Sequence, residues 1–127
     1  MNNVLWVGFG GFIGAALRYM VSGWVQGWSN SVNFPHGTLV VNLLGCVVIG
    51  LLSQLANERS IFTDETRLLV FIGILGSFTT FSTFSNETLN LMRDGKNLLV
   101  YTNMMAHLGG GLSMVWLGSA LVRVIWR

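Results

Sequence analysis

Charged side chains are scarce in this chain. Only 9% of its 127 residues are Asp, Glu, Lys or Arg, whereas a soluble domain carries about 25%. So few charges cannot cover the surface of a water-soluble globule. Hydrophobic residues make up 52% of the chain and the mean hydropathy is +0.61, which excludes a disordered chain and predicts a membrane protein.

Cysteine is also nearly absent, and the net charge is small. The single cysteine, Cys46, excludes an intramolecular disulfide and a thiol cluster for structural zinc. The formal net charge is +2 and the basic residues are scattered, so no nucleic-acid partner is expected. The first apolar stretch lacks a basic start and a convincing cleavage site, which favours a retained helix over a signal peptide.

Four apolar stretches are long enough to cross a membrane, since a helix needs about 20 mainly apolar residues to do so. The sequence predicts an all-α membrane protein, with one integral membrane domain over residues 1–127. Its helices are expected near 4–25, 38–55, 68–90 and 98–122. The connections hold the only proline, Pro35, and most of the charges, as loops do.

The basic residues give only a weak preference for one orientation in the membrane. One side of a four-pass chain receives Arg59, Arg67, Arg123 and Arg127. The other side receives Arg18, Arg93 and Lys96. This near balance suggests the hypothesis of insertion in both directions, with two opposite copies forming an antiparallel pair. Small residues at close spacing, such as Gly10 and Gly14, predict tight helix packing, either within one subunit or at a dimer seam.

The third predicted helix carries an unusual density of hydroxyl groups. Six lie within nine residues: Ser77, Thr79, Thr80, Ser82, Thr83 and Ser85. One or two would simply bond to helix carbonyls. Six, preceded by Gly73 and Gly76, predict a local unwinding whose free backbone groups face protein or water. Such breaks usually mark ion or substrate sites; an unbroken, hydroxyl-rich helix is the alternative.

Uncharged groups that suit an anion lie in and near this run. Phe78, Phe81 and Phe84 recur every three residues and would form one stripe on a helix. Packing or lipid contact is the ordinary role of such rings, but their positive edges can also attract a small anion. Asn42 shares a helix face with Thr38, and its amide is expected to serve either an inter-helix hydrogen bond or an anion.

The remaining polar residues of the spans allow two roles each. Arg18 is expected to anchor the first helix at the interface, or to draw anions to a vestibule. Glu87 is expected at a helix end or in a vestibule. Tyr101 either ends a polar pathway or belongs to the interfacial aromatic belt. His107 has no second histidine nearby, so a metal site there is not expected.

Three segments together resemble a known family. They are the run from Gly11 to Tyr19 (GFIGAALRY), the run from Gly37 to Gly45, and the run from Gly73 to Phe84 with its core TTFSTF. In their order, and in length and number of spans, the chain resembles the Fluc (CrcB) family of bacterial fluoride channels. The resemblance implies a passive, fluoride-selective channel and no enzyme, exporting cytoplasmic fluoride across the bacterial inner membrane.

The resemblance also implies an assembly and roles for single residues. The assembly is a dual-topology, antiparallel homodimer in the lipid bilayer, with two fluoride pores and a central structural sodium ion. The implied pore residues are Asn42, Phe81, Phe84, Ser82, Thr83 and Tyr101. Backbone carbonyls of Gly76 and Thr79 would hold the sodium. The implied vestibule or structural positions are Arg18, Glu87 and Thr38.

One departure from the family pattern falls in the fourth helix. Some relatives place serines one and two turns after the tyrosine, where this chain has Met105 and Gly109. Which residues continue the pathway beyond Tyr101 is therefore undecided. It is equally undecided whether His107 takes over the function of these serines. The competing function is a dual-topology, proton-coupled exporter of small molecules, which would need a carboxylate deep in a span. Glu87 is the candidate for that role.

Overall fold

The computed structural model describes residues 2–126, so Arg127, which entered the charge balance above, lies outside the described residues. Its regular elements are all helical. They are α1 (Asn2–Ser29), α2 (His36–Arg59), α3 (Asp64–Arg67), a π-helix (Leu68–Leu75), α4 (Gly76–Phe78), α5 (Phe81–Arg93) and α6 (Asn97–Ile125). Four spans are long and apolar enough to cross a membrane: α1, α2, the run from α3 to α5, and α6. The prediction of an all-α, multi-pass membrane protein is confirmed.

Every span extends beyond the apolar stretch that predicted it, because the helices continue into polar flanks. The end of α1 shows how such a flank is used. The Gln26 side chain donates from Nε2 to the carbonyls of Ser31 (2.6 Å) and Phe34 (3.1 Å), and its Oε1 accepts from the Gly37 N–H (3.1 Å). It thereby closes the loop and satisfies a free donor in the first turn of α2.

The third span is broken, as the hydroxyl density predicted. Thr79 and Thr80 are both extended, with ψ of 155° and 115°. Thr80 begins the next helix as its N-cap, because its side chain accepts from the Thr83 N–H at 3.3 Å. Phe78 therefore precedes the break and Phe81 follows it. The prediction of a single stripe through Phe78, Phe81 and Phe84 is wrong, since no continuous helix joins them.

The helices form two closely packed pairs. α2 packs most extensively against α6, and α1 packs against the π-helix. A Cβ on Gly14 would overlap the carbonyl of Ile74, and one on Gly50 would overlap the carbonyl of Val115. At these two positions the glycine serves packing within one subunit, one of the two roles that the spacing left open.

Candidate functional site

Asn42 joins α2 to the break in the third span. Its Oδ1 accepts from the Thr80 N–H at 2.8 Å, and its Nδ2 donates to the Thr80 carbonyl at 3.0 Å. In a continuous helix the Thr80 N–H would bond to the Gly76 carbonyl, so Asn42 Oδ1 replaces that lost acceptor. The Thr80 carbonyl, at the N-cap of α5, accepts the Asn42 bond in addition to the first bond of that helix. The inter-helix hydrogen bond is thus the role that the structure shows. One of the two Nδ2 hydrogens is left over for another acceptor.

The hydroxyls of the break bond mainly to the break itself. Thr79 Oγ1 donates to the Leu75 carbonyl at 3.0 Å, and Thr80 Oγ1 donates to Thr83 Oγ1 at 2.9 Å. Ser82 Oγ lies 3.4 Å from Thr80 Oγ1. Small side chains allow this arrangement to approach α2, because a Cβ on Gly45 would overlap the Thr79 methyl group. The hydroxyl cluster therefore stabilises an unwound segment inside the protein.

A cavity of about 240 Å³ opens beside Asn42, and we call it the aromatic cavity. Its lining comprises Asn42, Cys46, Thr79, Thr80, Phe81, Phe84, His107 and Leu108. Phe84 is buried, with 8% of its surface exposed, whereas Phe81 is 75% exposed. The two ring centroids are 5.6 Å apart. The lining contains no Asp, Glu, Lys or Arg among residues 2–126, so an ion here would meet only neutral groups or the imidazole.

A second cavity of about 460 Å³ lies on the other side of the break, and we call it the arginine cavity. Arg18, Thr38, Thr80 and Thr83 are among its lining residues. Thr80 lines both this cavity and the aromatic cavity. The Asn42 and Thr80 pair therefore stands between a compartment with a cationic side chain and a neutral, aromatic one.

A third cavity of about 310 Å³, the outer cavity, continues from the arginine cavity. The two share Ser22, Gln26 and Thr38. Glu87 lines the outer cavity, and its Oε1 accepts a hydrogen bond from Thr38 Oγ1 at 2.7 Å. Lys96 lies at the same cavity and bonds the Asn33 side chain at 3.0 Å. The predicted vestibule residues Arg18, Glu87 and Thr38 thus lie around two connected cavities.

Other residues of the predicted site lie apart from this row of cavities. Tyr101 is 67% exposed on α6, and Ser82 and Gly76 are also exposed. None of the three is among the residues that line the aromatic, arginine or outer cavity. Within a single chain, the predicted pore roles of Tyr101 and Ser82 have no direct structural counterpart.

Two residues of α6 hold this helix to α5. Neither of them was assigned to the site from the sequence. Asn103 is fully buried, and its Nδ2 donates to Thr88 Oγ1 at 2.9 Å. Thr88 in turn donates to the Phe84 carbonyl at 2.7 Å. One turn after Asn103, the His107 ring lies against the Phe84 ring with 4.3 Å between centroids. An amide within a membrane helix is costly unless it is bonded, and this is the signal that could have pointed to Asn103.

The break also frees the two carbonyls that the resemblance assigns to sodium. In a regular helix, the Gly76 carbonyl would accept from the Thr80 N–H, and the Thr79 carbonyl from the Thr83 N–H. Here the Thr80 N–H donates to Asn42, and the Thr83 N–H donates to Thr80 Oγ1. Residues 2–126 contain no group of three or more His, Cys, Asp or Glu side chains that could hold a metal. Backbone oxygens such as these two are therefore candidate ligands for a hard cation.

Comparison with known proteins places the chain among relatives of similar length. It matches the family model for "CrcB-like protein, Camphor Resistance (CrcB)" over residues 5–119. It is 47% identical to "Fluoride-specific ion channel FluC 1" of Methanosarcina acetivorans, over 93% of this chain and 88% of that protein. It is 46% identical to "Fluoride-specific ion channel FluC" of Shewanella loihica, over 96% and 97% of the two chains. With the broken third span and four apolar helices, these matches show that the chain belongs to the CrcB-like family.

Proposed function

We propose that this protein is a passive, fluoride-selective channel through which cytoplasmic fluoride leaves the cell. The observation that carries the proposal is the row of three neighbouring cavities that share the lining residues Thr38 and Thr80, with the Asn42 amide beside the aromatic cavity. The names of the relatives, which are fluoride-specific ion channels, agree with it.

The chemistry of the aromatic cavity suits a small, strongly hydrated anion. Such an ion crosses only if other donors replace its water, and it leaves only if those donors do not hold it too tightly. Asn42 has one amide hydrogen beyond its bond to Thr80. Phe81 and Phe84 can add the positive edges of their rings. All of these groups are neutral, which favours passage over trapping.

Arg18 has a different place in this proposal. Its charge lies at the arginine cavity, ahead of the aromatic cavity. A cation in such a cleft raises the local concentration of anions. Because Arg18 does not line the aromatic cavity, it attracts the anion without binding it there.

We propose an antiparallel, dual-topology homodimer with two pores as the functional assembly. Phe81 and Tyr101 are strongly exposed in the single chain, although the first lines the aromatic cavity. A second copy would cover this open side and complete each pore. The weak charge bias supports insertion in both directions.

The dual topology is testable with a single cysteine added after the C-terminus in a Cys46→Ser background. A membrane-impermeant thiol reagent applied to sealed vesicles should label about half of the chains, and the rest only after permeabilisation. The parent Cys46→Ser protein, treated identically, controls for non-specific labelling. Labelling of all chains, or of none, before permeabilisation would contradict the dual topology.

We further propose that the freed carbonyls of Gly76 and Thr79 hold a structural sodium ion between the two subunits. Hard cations prefer oxygen ligands, and the diversion of the Thr80 and Thr83 N–H groups leaves these two oxygens without their helical donors. A sodium ion would neutralise the carbonyl dipoles that the break brings together.

A proton-coupled exporter is the competing function. It would require a carboxylate on the transport route, and Glu87 lines the outer cavity. The arginine and aromatic cavities, as described, are lined without any carboxylate. Glu87 does not line these two cavities, so it is not placed to carry protons through them. This supports a channel over an exporter.

Fluoride efflux from liposomes tests the proposed function. The protein should release fluoride when a potassium ionophore balances the charge, and a proton ionophore should not be required. Phe81→Ile and Phe84→Ile remove ring edges from the cavity, and each should slow efflux about tenfold or more, equivalent to about 1.4 kcal/mol in the barrier. Phe9→Ile, on an exposed position of α1, is the matched control. Efflux that requires a proton gradient would favour the exporter.

A further inference from the structure

His107 is the polar side chain that α6 contributes to the aromatic cavity. Met105 is 68% exposed, and Gly109 is also exposed with no neighbouring atom near the position of a Cβ. Neither lines the cavity. Any contact between α6 and an ion in this cavity therefore involves the imidazole or the apolar Leu108.

The orientation of the imidazole follows from its one hydrogen bond. Nδ1 lies 3.0 Å from the Asn103 carbonyl oxygen. A carbonyl only accepts, so Nδ1 carries the hydrogen, and Nε2 of the neutral ring has a lone pair. Nε2 is buried and has no hydrogen-bond partner within residues 2–126.

The ring is also held firmly against Phe84. The two centroids are 4.3 Å apart and the planes are inclined by 38°. Asn103 fixes both sides of this contact: its carbonyl holds His107, and its side chain reaches the Phe84 carbonyl through Thr88. Asn103 is therefore a positioning residue for the Phe84 and His107 pair.

We propose that His107 is a further anion-contacting residue of the permeation pathway, whose Nε2 disfavours the anion when the ring is neutral and donates to it when the ring is protonated. This inference rests on the proposed function. In the neutral ring, the Nε2 lone pair lies buried in the wall of the cavity and repels an anion that approaches it. In the imidazolium, Nε2 is a donor and a positive charge lies against the Phe84 ring, where it strengthens attraction at the ring edge.

Few other ionisable groups face His107. From α2, Cys46 lines the same cavity; from α5, the contacts are Phe84 and Thr88 through Asn103. Glu87, also on α5, bonds Thr38 at the outer cavity and does not line the aromatic one. Arg18 lines the arginine cavity. Among the described residues, His107 is thus the group of this cavity that can become a cation.

Fluoride current through single channels in planar bilayers tests the inference, because neutral hydrogen fluoride carries no current. At a fluoride concentration well below saturation, the wild-type current should be about tenfold larger at the acidic end of a titration from about pH 4.5 to about pH 8 than at its alkaline end, because the imidazole loses its proton within this range. His107→Phe keeps a ring against Phe84 and should give a current independent of pH. His107→Gln, which retains an N–H donor without titrating, should also be independent of pH.

The second histidine of the chain provides the matched control. His36 lies at the start of α2 against Phe34 and is outside the aromatic cavity, so His36→Gln should keep the wild-type pH profile. A wild-type current that does not vary with pH, or the same variation in His107→Phe, would overturn the role of His107. No fluoride current in any variant at any pH would overturn the proposed function, and this inference with it.

Discussion

Asn42 shows how a single side chain can stabilise a break in a helix and still have a donor to spare. Its Oδ1 replaces the acceptor that the Thr80 N–H loses at the break, its Nδ2 bonds to the Thr80 carbonyl, and one hydrogen remains free. An unpaired buried N–H or carbonyl costs about 1 to 3 kcal/mol. The break is therefore stable only because an amide stands opposite it.

We predict that Asn42→Ala both destabilises the protein and abolishes most fluoride efflux. The variant leaves the Thr80 N–H without an acceptor, at a cost of about 1 to 3 kcal/mol. Thermal denaturation in detergent, followed by the loss of the folded-protein peak in size-exclusion chromatography, measures the stability. Asn57→Ala, an exposed asparagine on α2, is the matched control. Equal thermal midpoints in the two variants would contradict the structural role of Asn42.

The types of residue in the spans indicated which side chains belong to the candidate site, but they did not indicate which side chains contact each other. An amide and a run of hydroxyls in hydrocarbon are costly, so Asn42 and Thr80 stood out from the sequence. The pairing of His107 with Phe84 did not, because the face that a histidine presents depends on how α6 rotates against α5. Asn103 was equally hidden, since its partner Thr88 lies on another helix.

At the level of the helices, the third span departs from regular geometry twice. Before the break, Leu68–Leu75 is a π-helix. Its close partner is α1, where a Cβ on Gly10 would overlap the Leu69 carbonyl. π-helical turns are often found at functional sites. Here the π-helix sets the rotation of α4, and therefore the direction in which Thr79 and Thr80 leave the helix.

The sequence predicted the four spans because an apolar run of about 20 residues is read directly from composition. It also predicted a break, from the density of hydroxyls. It did not predict the π-helix, because the residues from Leu68 to Leu75 would suit an α-helix equally well, and only packing against α1 distinguishes the two. The predicted spans were too short for a related reason. The helices continue into polar flanking residues, and hydropathy does not detect a helix there.

We predict that Gly14→Ala separates α1 from the π-helix and destabilises the protein by about 1 to 3 kcal/mol. The new methyl group would overlap the Ile74 carbonyl, which is backbone and cannot rotate away. Gly8→Ala is the matched control, because nothing lies near its Cβ position and alanine favours a helix over glycine by about 1 kcal/mol. Thermal midpoints in detergent compare the two, and a Gly14→Ala protein as stable as Gly8→Ala would contradict the close contact.

In the whole molecule, polarity decreases from the outer cavity inward. Lys96, Asp94 and Glu87 line the outer cavity, Arg18 lines the next, and the aromatic cavity has no permanently charged side chain. An anion would thus be attracted by the Arg18 charge at the arginine cavity and bound only by neutral dipoles in the aromatic cavity. This order is the physical basis for selectivity without trapping.

The reversal potential between fluoride on one side of a planar bilayer and chloride on the other tests this account most directly. If ring edges and uncharged donors select a small anion, the potential should lie close to the value set by fluoride alone, with no need for a proton gradient. Phe84→Ile should reduce the current without a charge change in the pathway. A reversal potential near zero would show that chloride passes as readily as fluoride, and it would contradict the central claim.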